Sequence, residues 1–220
     1  MDWEAKLAWA EEEHERRSAG PRRSGEREDF RLAAVAGASW AGGLAALMAG
    51  RPDEAEALLG RAADEYLVSW DAAPAGSWGR PIALLRCRLL AGHGEAAERD
   101  ARRVLAEGAL DADGPIAAYC ACLALNVLGD PTAERVAASL RSDPGFQPGA
   151  VADALHAIAR RDEGAYADAA AGVLASFEER DAFLEDVPVA DTVLVLDALA
   201  RARGLRPTER RSDLLPAREG

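Results

Sequence analysis

Two groups of residues in this chain have the types and spacing that chemistry could use. Carboxylates gather at Glu178, Glu179, Asp181, Glu185, Asp186 and Asp191. Were one helix to run on through them, Glu178, Asp181 and Glu185 would share a face, and converging carboxylates can hold a hard cation or exchange protons. No Glu-x-x-His accompanies them, although facing helices of metal-bearing bundles usually supply one. The spacing therefore favours a solvated acidic face, and an all-α enzyme or metal-binding protein working through Asp181 and Glu185 is the competing reading. Asp191, after Pro188 and before Val193, reads as a first-turn helix acid. The second group is His156 with Asp153, three residues apart on one helical pattern, where a proton could pass between them. No nucleophile accompanies this pair, so His156 reads better as a structural histidine. His14 falls in a charged helix and His93 in a turn.

Cys87, Cys120 and Cys122 form no disulfide framework. Cys120 and Cys122 are two apart, so on a helix they point to different sides and cannot chelate together. Each lies in an apolar stretch, where cysteine acts as a small buried hydrophobe. No Gly-x-x-x-x-Gly-Lys, Gly-x-Ser-x-Gly or His-Glu-x-x-His is present. The expectation is a chain with no catalytic residue, no metal ligand and no cofactor.

The most distinctive stretch is Trp70-Asp71-Ala72-Ala73-Pro74-Ala75-Gly76-Ser77-Trp78-Gly79-Arg80-Pro81. Aromatic and arginine side chains are the usual anchors of binding surfaces. Trp70, Trp78 and Arg80, with Arg86 just beyond, are thus candidate recognition residues. The alternative is that both tryptophans plug the gap between two hairpins while Arg80 caps a helix carboxyl end.

The elements that must position these residues are helices. The chain has 220 residues, 49% of them apolar and only 5% aromatic, with alanine dominating the apolar set. Alanine has the best helix propensity and little bulk, which favours closely packed helices. A charged helix over 2–17 carries the apolar stripe Trp3, Leu7, Ala10 and His14. Ser18 to Gly25 is a mobile loop by composition. Helical patterns then cover 26–49, 53–70, 81–91, 94–107, 115–128, 131–141, 149–161, 163–181 and 189–203. Pro52, Pro81, Pro115, Pro131, Pro148 and Pro188 stand near their starts, where a missing N–H costs nothing. Gly50, Gly92, Gly129 and Gly204 stand at ends, where a left-handed cap is easiest for glycine. In the 26–49 helix, Gly42 and Gly43 sit among alanines and beside Trp40. Mid-helix glycine costs about 1 kcal/mol against alanine, so these two answer a packing need or mark a kink. That helix could pack within the chain or against a second copy, as a homodimer would require.

Short connections pair the helices into hairpins 26–70, 81–107, 115–141 and 149–181, with 189–203 closing the stack. The domain reading is a charged helix and loop at 1–25, a repeat domain at 26–204 and an extended tail at 205–220. Leu214, Leu215 and Pro216 could dock that tail.

In the first hairpin Gly50, Ala55, Leu59 and Ala62 take the spacings of a turn glycine, a packing alanine, a large apolar residue and a second alanine. Gly92, Ala97, Ala101 and Val104 repeat the scheme 42 residues later. This resembles the tetratricopeptide repeat, whose own period is about 34 residues, and the resemblance implies a protein-binding surface. The C-terminal segments Ala159 to Tyr166, Val187 to Leu194, Arg203-Gly204-Leu205 and Ser212 to Pro216 resemble the closing segments of helical immunity proteins of bacterial toxin systems (the Imm49-like group). That likeness implies neutralisation of a toxin by binding.

The formal charge is −12, from 38 acidic and 26 basic side chains. Such a surface repels nucleic-acid phosphates. No run approaches the roughly 18 apolar residues of a membrane span, and the N-terminus lacks a signal-peptide layout. We therefore expect an all-α fold of stacked antiparallel helical hairpins, a tetratricopeptide-like α-solenoid of about ten helices. The expected role is non-enzymatic and cytoplasmic, with a protein or peptide partner and neither nucleic acid nor membrane.

Overall fold

A computed structural model describes residues 1–20, 25 and 27–217. Among them the chain forms ten α-helices and no strand. These are α1 (Trp3–Ala19), α2 (Glu28–Met48), α3 (Pro52–Asp71), α4 (Gly79–Leu90), α5 (Gly94–Ala106), α6 (Pro115–Leu128), α7 (Thr132–Arg141), α8 (Gly149–Arg160), α9 (Glu163–Glu178) and α10 (Asp191–Ala202). A single 3-10 turn, Leu184–Asp186, precedes α10. Residues 21–24, within the loop expected from Ser18 to Gly25, lie outside the described residues.

The turns form where backbone chemistry asks for them. Gly50, Gly92, Gly129 and Gly204 all have positive φ, between 69° and 83°. After each, the next amide donates back across the turn, as Arg51 does to the Ala46 carbonyl at 2.9 Å and Asp130 to that of Leu125 at 2.9 Å. This arrangement satisfies carbonyls that the helix end leaves free. The α8–α9 turn uses the same bond, Asp162 N–H to Ala157 carbonyl, but Arg161 takes the left-handed residue at φ 56°. A non-glycine residue there carries no sequence signal, so the helix reads one residue too long at that point. Asp162 then caps α9 by accepting from the Ala165 amide.

The described residues fall into two compact units. Unit 1 comprises Met1–His93, Ala182–Val189 and Asp213–Gly220, and unit 2 comprises Gly94–Asp181 and Ala190–Ser212. The division falls within the stretch 26–204 read as one repeat domain, and the chain passes from one unit to the other inside the Gly92 turn. In unit 1, α2 lies between α1 and α3, and α4 packs on α3. In unit 2, α5 to α9 each pack on the next, and α10 packs on α9, α8 and α6. The charged N-terminal helix packs on α2 within unit 1, with Leu7 and Ala10 buried.

The glycines of α2 answer a packing need. A Cβ on Gly42 would touch Leu58 of α3 and Ala10 of α1 at ordinary contact distance, 3.4 and 3.5 Å. A Cβ on Gly43 would meet Leu59 Cγ at 2.5 Å and the Leu59 backbone nitrogen at 3.2 Å. The α2 helix thus finds its close neighbours within its own unit. It is also the one described helix long and apolar enough to cross a membrane, with mean hydropathy 1.3 over its best 18 residues, which amends the expectation that no such run exists. Two thirds of that window is buried inside the protein, as in a core helix.

Candidate functional site

Of the positions that carry the tetratricopeptide resemblance, the turn glycines Gly50 and Gly92 are exposed and the rest are core. Ala55, Leu59, Ala62, Ala97, Ala101 and Val104 are all buried. Functional capacity must lie on the faces these positions leave outward. On α3 that outward face carries Asp53, Glu56, Ala57, Arg61, Asp64, Glu65 and Val68 at helical spacing, and together with Gly60 and His93 it lines an open groove of about 730 Å³. Gly60 makes room for the imidazole, since a Cβ there would stand 2.9 Å from His93 Cε1. His93 Nε2 lies 3.5 Å from Glu56 Oε1.

Three elements converge on the groove wall at Glu65. Its Oε1 lies 2.6 Å from His14 Nε2 of α1, and its Oε2 accepts from Ser39 Oγ of α2 at 2.7 Å. Ser39 is fully buried and in turn accepts from Arg61 Nε at 3.0 Å. A hydroxyl sealed from solvent and committed to two partners is no nucleophile, so this constellation fixes Glu65 and does not activate Ser39. Asp64 holds the buried Arg88 at 2.7 Å. Asp53 and Glu56 stay exposed.

Near the opposite end of α3, Ser69 Oγ donates to the Asp29 carbonyl at 2.7 Å. Phe30 (55% exposed) and Val68 (53% exposed) each follow or precede this bond by one residue. The Arg27 and Arg80 guanidinium carbons both stand 4.9 Å from the Phe30 ring centre.

The tryptophan loop has a packed end. Trp70 is buried in the last turn of α3, Trp78 is half-buried at the start of α4, and Arg86 is half-buried within α4. Arg80 is not at a helix carboxyl end. Its Nη2 lies 3.5 Å from Oδ2 of buried Asp29, in the first turn of α2, and Arg27 grips the same carboxylate with both arms at 3.0 and 3.1 Å.

The acidic cluster does not assemble. Helix α9 ends at Glu178, so Glu178, Asp181 and Glu185 share no helix face. Asp181 belongs to unit 2 and is exposed. Glu185, in unit 1, has its carboxylate gripped by Arg17 at 2.8 Å on both oxygens, while its carbonyl accepts from Lys6 Nζ at 2.8 Å. Lys6, the sole lysine, also sits 3.4 Å over the Trp9 ring, and burial lowers its pKa. No group of three or more His, Cys, Asp and Glu side chains converges as metal ligands among the described residues. Nor do Asp153 and His156 pair: the Asp153 carboxylate accepts from Arg141 Nε instead. The three cysteines are buried, and burial pushes Cys120 and Cys122 up to about 12, leaving both as inert thiols at neutral pH.

One polar cluster escapes sequence reading altogether. Asp197, mid-way along α10, accepts from Tyr166 of α9 and from Arg210 of the C-terminal segment. These two partners lie 31 and 13 residues away, and Arg201, one helical turn on, has its Nη2 4.0 Å from the other oxygen, Oδ2. The available signal is a carboxylate inside the apolar run Val193 to Leu199, which requires a buried cation or donor. Compared with family models, curated proteins and solved structures, the chain matches none.

Proposed function

We propose that this is a non-enzymatic helical-repeat protein that binds a protein or peptide, and that the α3 groove of unit 1 is the surface it uses. The observation that supports this reading is the groove's lining. Asp53, Glu56, Asp64 and Glu65 face it against Arg61 and His93, with exposed Val68 on its wall. A surface with excess carboxylate and an apolar contact point suits a basic segment carrying an apolar residue. The net charge of −12 steers such a partner toward it.

The test is titration of the full chain with a fluorescein-labelled peptide of alternating lysine and leucine. Binding that weakens as salt rises, and that drops at least tenfold in the double variant Asp53→Asn, Glu56→Gln, supports the groove. Neither position holds a buried cation, so the fold should survive both changes. Equal binding by the variant excludes this face.

A further inference from the structure

The Asp197 cluster of unit 2 is built like a recognition slot that already contains its ligand. The Asp197 side chain is 8% exposed and that of Arg210 9%. The fully buried Tyr166 donates its hydroxyl to the same carboxylate oxygen, Oδ1, that Arg210 Nη2 contacts. Burial first, and Asp197 second, raise the Tyr166 pKa well above the ordinary tyrosine value, so the phenol stays a donor. Such a slot favours one planar cation with a fork of N–H donors.

The segment that delivers Arg210 is itself peptide-like. Helix α10 ends at Ala202, and Leu205 is buried after the Gly204 turn. From there the Arg206 amide donates to Glu163 Oε1 at 3.2 Å, at the start of α9. Ser212 Oγ donates to Glu178 Oε1 at 2.8 Å, at the end of α9. The fifteen helical steps from Glu163 to Glu178 rise about 22 Å. Six extended steps from 206 to 212 cover about 20 Å. The segment therefore runs extended along α9 and in the same direction, with Arg206, Thr208, Glu209 and Arg211 exposed and the Arg210 side chain turned in.

The fit of this internal occupant is incomplete. Arg210 Nε and Nη1 are buried and have no hydrogen-bond partner, so only one arm of the fork engages Asp197. Tyr166 and Arg210 both use Oδ1, and Oδ2 has only exposed Arg201 at 4.0 Å, so a guanidinium not tied to Leu205 has a second oxygen to engage. We infer that the slot between α9 and α10 is a binding site for an extended, arginine-bearing segment of another polypeptide, and that residues 206–212 are its displaceable intramolecular occupant. Tethering gives the internal segment a high effective concentration, so the site opens to a competitor only when that advantage is removed or outweighed.

The test uses a labelled peptide with the sequence of residues 206–212 and the full-length Arg210→Ala chain, whose slot lacks its arginine. The peptide should bind this chain at least tenfold more tightly than the unaltered one. A peptide with alanine in place of Arg210 keeps Arg206 and Arg211 and should lose that binding. Equal binding to both chains, or equal binding by the alanine peptide, overturns the inference. If circular dichroism shows that Arg210→Ala does not fold, hydrogen exchange on the unaltered chain decides. Amides of 208–212 should exchange at least a hundredfold faster than those of α10, and faster still with excess peptide. Protection equal to α10, or indifference to the peptide, overturns it.

Discussion

Both units place a carboxylate where three chain segments meet, yet Glu65 in unit 1 and Asp197 in unit 2 do different work. Glu65 lies on a groove wall, takes a histidine and a serine as partners, and keeps contact with solvent. Asp197 is sealed, with tyrosine and arginine turned inward to reach it. The difference lies in what surrounds each carboxylate. Glu65 stands on the outer face of α3, beside the open groove. In unit 2, α9 and α10 leave a slot wide enough for a guanidinium. Exposure decides whether a carboxylate is offered to a partner or locked into the fold.

The sharpest way to break this comparison is Asp197→Ala. It strands the buried Arg210, and breaking a buried pair costs about 3–5 kcal/mol. Urea unfolding followed by circular dichroism should show that loss, and a loss below about 1 kcal/mol would place Asp197 with the surface pairs. Next is Gly43→Ala, which forces Leu59 and its backbone to move and should cost about 1–3 kcal/mol despite the better helix propensity of alanine. Its neighbour Gly42→Ala meets only ordinary contacts and should be neutral or stabilising. All five tryptophans, Trp3, Trp9, Trp40, Trp70 and Trp78, lie in unit 1, so their fluorescence reads this pair of variants directly.

Tyr166 gives a pH test of the sealed site. Its pKa is raised in the folded protein above the ordinary value of 10.0. Below that value the phenol is neutral in both states and the stabilisation is complete. Above it the unfolded chain loses a proton that the folded one keeps, so stability falls by about 1.4 kcal/mol per pH unit. Tyr166→Phe should flatten the alkaline limb of a stability–pH curve by that amount, and an unchanged limb would remove Tyr166 from the account. The smallest effect is expected at Glu65→Gln. A pair that keeps contact with solvent contributes about 0–1 kcal/mol, and Ser39 keeps an acceptor in the amide oxygen. A loss comparable with that of Asp197→Ala would erase the contrast between the two units.

The fold was legible residue by residue, because its signals are local. The stripe Trp3, Leu7, Ala10 and His14 predicts the packed face of α1. Pro52 and Pro115 stand at the first position of α3 and α6, and the four turn glycines take the left-handed conformation that motivates them. There are two exceptions. Arg161 adopts that conformation without being glycine, and α9 stops at Glu178 although its pattern continues to residue 181. The site was far less legible. The sequence draws the eye to Trp70, Trp78, Arg80 and Arg86, but not to Asp53, Glu56 and Glu65, which look like any solvated helix face until His93 and His14 close on them.

From its sequence alone this protein is an all-α chain of short, closely spaced helices, since helix propensity, proline starts, glycine ends and small-residue spacing act over a few residues each. Only the tertiary structure decided where the chain divides, that Glu185 answers Arg17, and that Arg210 reaches Asp197. Charges pair across distances in space that leave no period in the chain, because electrostatic partners are chosen by burial and proximity after the helices have packed.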